Sequence, residues 1–238
     1  MNIPEQQQID HWLNVASGDL ERRKTHTQDG FYERENLYVQ GLYTGYAGIY
    51  ADLARTMFLN GELNIAFRAE FSNASRNMLK SFTMAYDKND PDYVGDKETP
   101  ADYTGTYFDR PQYGYVDWSS VEALDAINGF NWALMAGDFE LGKELANWFQ
   151  DSPDEKRDDA ITRYAHAMKY ALIGSHVREA GKTLLMQTID KCRKKPPKGG
   201  WKLNFYTLSL ALYGILDKDQ ALFNEGLALQ LQFYQAEA

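Results

Sequence analysis

The 238-residue chain reads as an all-α protein of stacked antiparallel helical hairpins, a tetratricopeptide-like array with one long acidic, tyrosine-rich insert. Two features predict this. Four stretches echo one another, at residues 54–67, 133–145, 171–184 and 211–223, and each runs from an apolar helix end through a glycine turn into a new helix. The turn glycines Gly137, Gly174 and Gly214 are 37 and 40 residues apart, and Gly61 precedes Gly137 by 76, about two periods. Helix pairs repeated in this way bury their apolar faces against neighbouring pairs. The second feature is apolar spacing near 3.6 residues along most of the chain, with no strand-like alternation of useful length.

The elements follow in order within one domain, 1–238. An amino-terminal helix is expected near residues 4–26, in a first segment 1–30. A first hairpin spans 36–87. Tyr43, Tyr46, Ile49, Leu53 and Met57 share one helical face, and Phe67, Phe71, Ala74, Met78 and Phe82 share another. The insert occupies 88–117. Three hairpins fill 118–238, with stripes through Ala123, Ile127 and Phe130, through Leu141 and Leu145, through Ile161, Tyr164 and Met168, through Leu184, Thr188 and Cys192, and through Phe205, Leu208 and Leu212. Leu222, Leu229 and Phe233 sketch the last helix. Ser119 with Glu122, Ser152-Pro153-Asp154-Glu155, and Asp217 with Gln220 read as helix starts. The run Lys194–Gly200 reads as a break, its lysines favoured by the preceding helix C-terminus. The expected core is Leu53, Phe67, Phe71, Leu124, Ile127, Leu145, Met168, Leu184, Leu208 and Leu212.

Composition narrows the function classes. No apolar stretch is long enough to cross a bilayer, and the first residues lack the basic and apolar regions of a secretory signal. A single cysteine, Cys192, excludes an internal disulfide framework and fits a reducing cytoplasm. The net charge of −9 argues against a nucleic-acid partner and favours a basic protein.

Residues 86–117 fit no helix. They hold six tyrosines, eight acidic and three basic residues, a local balance of −5. A connection this long inside a compact domain is usually functional or disordered, and tyrosines with carboxylates suit a binding surface for a basic partner. The candidate contacts are Asp90, Asp92, Tyr93, Asp96, Glu98, Asp102, Tyr103, Tyr107, Asp109 and Tyr113. The plain alternative is an ordered loop whose tyrosines cover helix ends, and the two readings are compatible.

Chemistry is otherwise sparse. Asp87, Asn89 and Glu98 match calcium-loop positions, but Pro91 and Asp92 fail two others, so a solvated acidic turn is the better reading. His11, His26, His166 and His176 show no metal-ligand spacing, and no metal or cofactor is expected. Cys192 and His166 read as packing residues, and Asp158-Asp159 as helix-start acids. Residues 35–41 resemble a tobacco etch virus protease site with Val39 in place of phenylalanine, read as native sequence.

Trp118-Ser-Ser-Val-Glu-Ala-Leu-Asp-Ala-Ile, Ala133-Leu-Met-Ala-Gly-Asp-Phe-Glu-Leu-Gly-Lys-Glu-Leu and Phe205-Tyr-Thr-Leu-Ser-Leu-Ala-Leu-Tyr-Gly resemble bacterial immunity proteins of polymorphic and contact-dependent toxin systems. The helical immunity family numbered forty-nine is the closest in pattern. Leu42-Tyr-Thr-Gly-Tyr-Ala-Gly-Ile-Tyr resembles immunity proteins paired with nuclease toxins. The resemblance implies a cytoplasmic, non-enzymatic inhibitor that binds one cognate toxin and occludes its active site; it transfers no functional residue. A helical-repeat adaptor that binds a peptide or protein, and an enzyme whose site is assembled from distant residues, stay open as alternatives.

Overall fold

The structure, a computed structural model, describes residues 6–62, 65–97, 112–150 and 159–237. Every regular element among them is a helix. The chain divides into two compact units, Pro4–Asp154 and a second formed by Glu155–Ala238 with Met1–Ile3.

The first unit comprises α1 (Gln6–Gln28), the short α2 (Phe31–Arg34), α3 (Gln40–Leu59), α4 (Ile65–Tyr86), α5 (Ala123–Ala136) and α6 (Phe139–Trp148). The central element is α4, which packs against α3, α5 and α6, while α1 covers α3. Bulky residues fill the space on the α5–α6 side: Phe149 meets Phe82 and Phe130 edge-on, at centroid distances of 6.1 and 6.0 Å. On the other side α3 buries Ala47, Ala51 and Ala54, small residues that bring its backbone close to its neighbours.

The second unit comprises α7 (Ala160–Ile173), α8 (Arg178–Lys194), α9 (Gly200–Asp217) and α10 (Gln220–Glu237). Each helix packs on the next, and α7 also reaches α9. Buried Arg163 on α7 donates its Nε–H to the Thr188 hydroxyl on α8 at 2.9 Å. Lys182 on α8 pairs with Asp217 at the end of α9 at 2.7 Å and lies over the Tyr213 ring.

All four echoing stretches fall on junctions between consecutive helices. Three glycines turn the chain as expected. Gly137 is the clearest: at φ 77° it ends α5, and the Asp138 N–H returns to the Ala133 carbonyl at 2.9 Å. Gly214 does not turn the chain. It lies inside α9, and Lys218 takes the left-handed conformation at φ 59° instead. A Cβ on Gly214 would sit 2.5 Å from the Phe223 backbone nitrogen, and one on Gly226 in α10 would sit 2.7 Å from the Ala211 nitrogen. These two glycines let α9 and α10 meet backbone to backbone.

Other helix starts shift by a few residues. Ser119 lies in a 3-10 turn, Trp118–Val121, held by Asp117; the reciprocal pair that opens α5 is Glu122 with Asp125, whose carboxylate accepts from the Glu122 N–H at 3.2 Å. Asp219, rather than Asp217, caps α10 by accepting from Ala221 and Leu222 N–H. Asp159 caps α7 in the same way, on Ile161 and Thr162. The Ser152 signature lies outside the described residues.

Of the expected core, Phe71, Ile127, Leu145 and Met168 are buried. Leu53, Phe67, Leu184, Leu208 and Leu212 are half-buried, and Leu124 is 37% exposed. Leu185 and Leu210 lie fully inside in their place.

Candidate functional site

The insert departs from the C-terminal end of α4. Asp87 accepts from the Asn89 N–H at 2.9 Å, and the Val94 N–H returns to the Met84 carbonyl at 2.8 Å, folding the turn back onto the helix with Val94 buried. Asp90 is the hub of this turn. Its carboxylate accepts from the Lys80 ammonium, from the Thr83 hydroxyl at 2.6 Å and from the Asp92 N–H at 2.9 Å. Lys80 also reaches Asp92 at 2.8 Å and lies over the Tyr43 ring on α3.

The electrostatics follow from these contacts. Burial alone would raise the Asp90 pKa, but the hydrogen bonds from Lys80, Thr83 and Asp92 outweigh it and hold the carboxyl below its ordinary value of 3.8. Lys80 is likewise pulled down by burial but carried above its ordinary value by the two carboxylates. Burial, then the charge of Asp92, pushes the Tyr43 phenol up.

The far flank of the insert is tied to the same region. The Val116 N–H donates to the Lys97 carbonyl at 3.2 Å, which joins the two described flanks. Asn36, at φ 50°, turns its side-chain carbonyl to the Gln112 and Tyr113 N–H groups, at 2.9 and 3.3 Å. Gln40 is fully buried; its amide donates to the Ser81 carbonyl at 3.1 Å and accepts from the Asp117 N–H at 2.6 Å.

The expected contact residues therefore separate. Asp90 is withdrawn, its side chain 8% exposed and its oxygens occupied internally. Asp92 and Asp96 are exposed but paired, with Lys80 and Lys88. Tyr93 is half-buried and donates to Asp96 at 3.0 Å, which lowers the Asp96 pKa. Tyr113 is exposed. Glu98, Asp102, Tyr103, Tyr107 and Asp109 lie outside the described residues. The calcium-like spacing is occupied by Asx turns and the Lys80–Asp90 pair, and no group of three metal-ligating side chains occurs among the described residues.

A second surface escaped the sequence reading. Between α1 and α3 an open cleft of about 330 Å³ is lined by Trp12, Val15, Ile49 and Leu59, with Asp19 and Asp52 among its polar residues. Trp12, Val15 and Leu59 are each more than a third exposed. The signal was present as Trp12 and Val15 on α1, but periodicity alone does not distinguish a covered apolar stripe from an open one.

Charge is divided between the units. Residues 4–154 carry 12 Lys and Arg against 25 Asp and Glu, a balance of −13, whereas 155–238 carry 13 against 9, a balance of +4. No helix among the described residues is long and apolar enough to cross a membrane. Cys192 packs against the cluster of Ile189, Tyr206 and Leu210, and burial pushes its thiol up, away from the thiolate a nucleophile needs. Comparisons with protein families, with curated proteins and with solved structures found no match to this chain.

Proposed function

We propose that this protein is an immunity-type inhibitor: a tetratricopeptide-like helical array that binds a basic cognate toxin in the cytoplasm and covers its active site. The observation that carries the reading is the charge of the amino-terminal unit, −13 over residues 4–154. Such a surface steers a basic protein toward it and disfavours acidic competitors. The same unit offers apolar anchors. Trp12, Val15 and Leu59 line the cleft with carboxylates nearby, an apolar centre with a charged surround of the kind protein interfaces use. The insert supplies the second contact region, through Asp92, Asp96, Glu98, Asp102 and Asp109 with Tyr113. Asp90 supports the turn from inside rather than touching the partner.

The α1–α3 cleft also favours a second reading, an adaptor that holds a peptide by one or two apolar side chains. One experiment separates the two. The protein is co-expressed with the product of each gene flanking its own that proves toxic when expressed alone, and survival is scored for wild type, Trp12→Ala/Leu59→Ala and Asp92→Lys/Asp96→Lys. The inhibitor reading expects protection by wild type and its loss in at least one double variant, with helicity retained. No protection by the wild-type protein removes that reading and leaves the adaptor.

A further inference from the structure

We propose that the basic strip at the junction of α8 and α9 is a docking surface for single-stranded nucleic acid. This goes beyond the inhibitor reading and does not depend on it. Residues 191–202 contain six cations, Lys191, Arg193, Lys194, Lys195, Lys198 and Lys202, and no acidic residue. All six are exposed. Arg193 pairs with Glu225 at 3.4 Å, whereas Lys194, Lys195, Lys198 and Lys202 form no salt bridge with any described residue.

Helix stability explains only part of this. Lys191, Arg193 and Lys194 lie in the last turn of α8, where the helix dipole favours positive charge. Lys195 is the C-cap of α8, where the same preference applies, and Lys198 lies beyond it. Lys202 lies in the first turn of α9, the end at which a cation is disfavoured, and that turn has no acidic residue to offset it. Lys198 and Lys202 have no such local account, and a ligand of opposite sign would supply the missing counter-charge.

The aromatic residue among these lysines identifies the ligand's second property. Trp201 is 61% exposed and stacks on Phe205, at 6.1 Å between centroids and 19° between planes. Phe205 is itself buried, edge-on to Tyr164. Trp201 is thus a largely exposed indole stacked on a buried ring, and it lies between Lys198 and Lys202 in the sequence. Stacking platforms beside a positive track are how proteins hold single strands without reading their sequence. A bilayer fits less well, because residues 195–200 offer no large apolar side chain to insert beside Trp201. A carboxylate-rich protein segment would occupy the lysines and leave the indole unused. The overall charge of −9 does not oppose this, since it is the sum of a unit at −13 and the unit at +4 that carries the strip.

The test uses the full chain and a fluorescein-labelled oligothymidylate of about 12 nucleotides, read by anisotropy. Four phosphate contacts predict affinity falling roughly 50-fold between about 50 and 200 mM salt, from a dissociation constant on the order of 10⁻⁵ M. Lys194→Ala/Lys195→Ala/Lys198→Ala should weaken binding at the lower salt by roughly 10-fold or more and flatten the salt dependence of what remains. Trp201→Ala should weaken it roughly 5- to 100-fold. Circular dichroism confirms that both variants fold, which their exposed positions favour. The proposal is overturned by no anisotropy change up to about 100 μM protein at the lower salt, or by lysine variants that bind like wild type. It is also overturned if polyglutamate or vesicles rich in phosphatidylserine bind more tightly than the oligonucleotide and ignore Trp201→Ala.

Discussion

Gln40 shows how much one buried amide can hold. It joins the start of α3 to the Ser81 carbonyl on α4 and to the Asp117 N–H after the insert. Gln40→Leu keeps the volume, strands the Asp117 N–H and takes one of two donors from the Ser81 carbonyl, so a urea melt should lose about 1–3 kcal/mol. The same burial decides the fate of the protease-like stretch at 35–41. Tyr38 and Gln40 are inside and α3 has begun, so the folded protein should resist tobacco etch virus protease, while prior unfolding exposes any cleavable site. Electrophoresis of both digests reads the result, and rapid cutting of the folded chain would contradict the placement of Gln40. Asp90 adds a pH dependence of definite sign. Its folded pKa is depressed, so its stabilisation is complete above the ordinary carboxyl value of 3.8 and is lost as pH falls through the lower folded value. Wild type should therefore lose stability more steeply below about pH 4 than Asp90→Asn, which has no carboxyl to protonate. Parallel acid titrations followed by far-ultraviolet dichroism would show this, and identical curves would remove Asp90 as a contributor.

Among the helices, the sequence was most legible at the junctions and least legible in the buried faces. All four echoes mark real turns because an apolar helix end, a small residue and a new helix start leave the chain few alternatives. Gly214 misled for a physical reason: glycine serves both turns and close helix crossings, and here it serves the crossing while Lys218 makes the turn. Gly214→Ala and Gly226→Ala should therefore force α9 from α10, each costing about 1–3 kcal/mol as overpacking does. Gly137→Ala should cost about 1–2 kcal/mol for a different reason, the left-handed backbone alone. Thermal melts read all three. The core shifted by a residue or two wherever the bulky stripe was not the closest face. Leu184 and Leu208 were chosen for their spacing, yet Leu185 and Leu210 are inside, and on α3 alanines take the most buried positions. Leu185→Ala should cost about 2–5 kcal/mol and Leu184→Ala clearly less, compared in one denaturant series.

At the scale of the whole chain, charge says more than hydropathy. A net −9 conceals a unit at −13 and another at +4, and the division becomes visible only when the chain is cut where the fold cuts it. This is why the candidate site was only partly legible. The insert's tyrosines and acids stood out by composition, but the internal use of Asp90 depends on Lys80 and Thr83, which lie on a helix the sequence treats as ordinary core. The α1–α3 cleft was marked only by Trp12 and Val15 on α1, and its other wall, with Leu59, comes from α3, far away in sequence.

The two flanks of the insert are bonded to each other, Val116 to Lys97, and its return end is pinned by Asn36 and Gln40. A chain leaving and re-entering the fold at one closed seam is an exchangeable cassette. Loop-closure entropy rises only slowly with length, by about 0.6 kcal/mol per doubling, so the segment between the seam's ends can be lengthened at little entropic cost. Inserting a glycine–serine segment that doubles the length between Lys97 and Gln112 should lower stability by only about 0.6 kcal/mol, read in a urea melt. For the proposed inhibitor, the same seam would let partner choice diversify by changing one segment while the helices stay as they are.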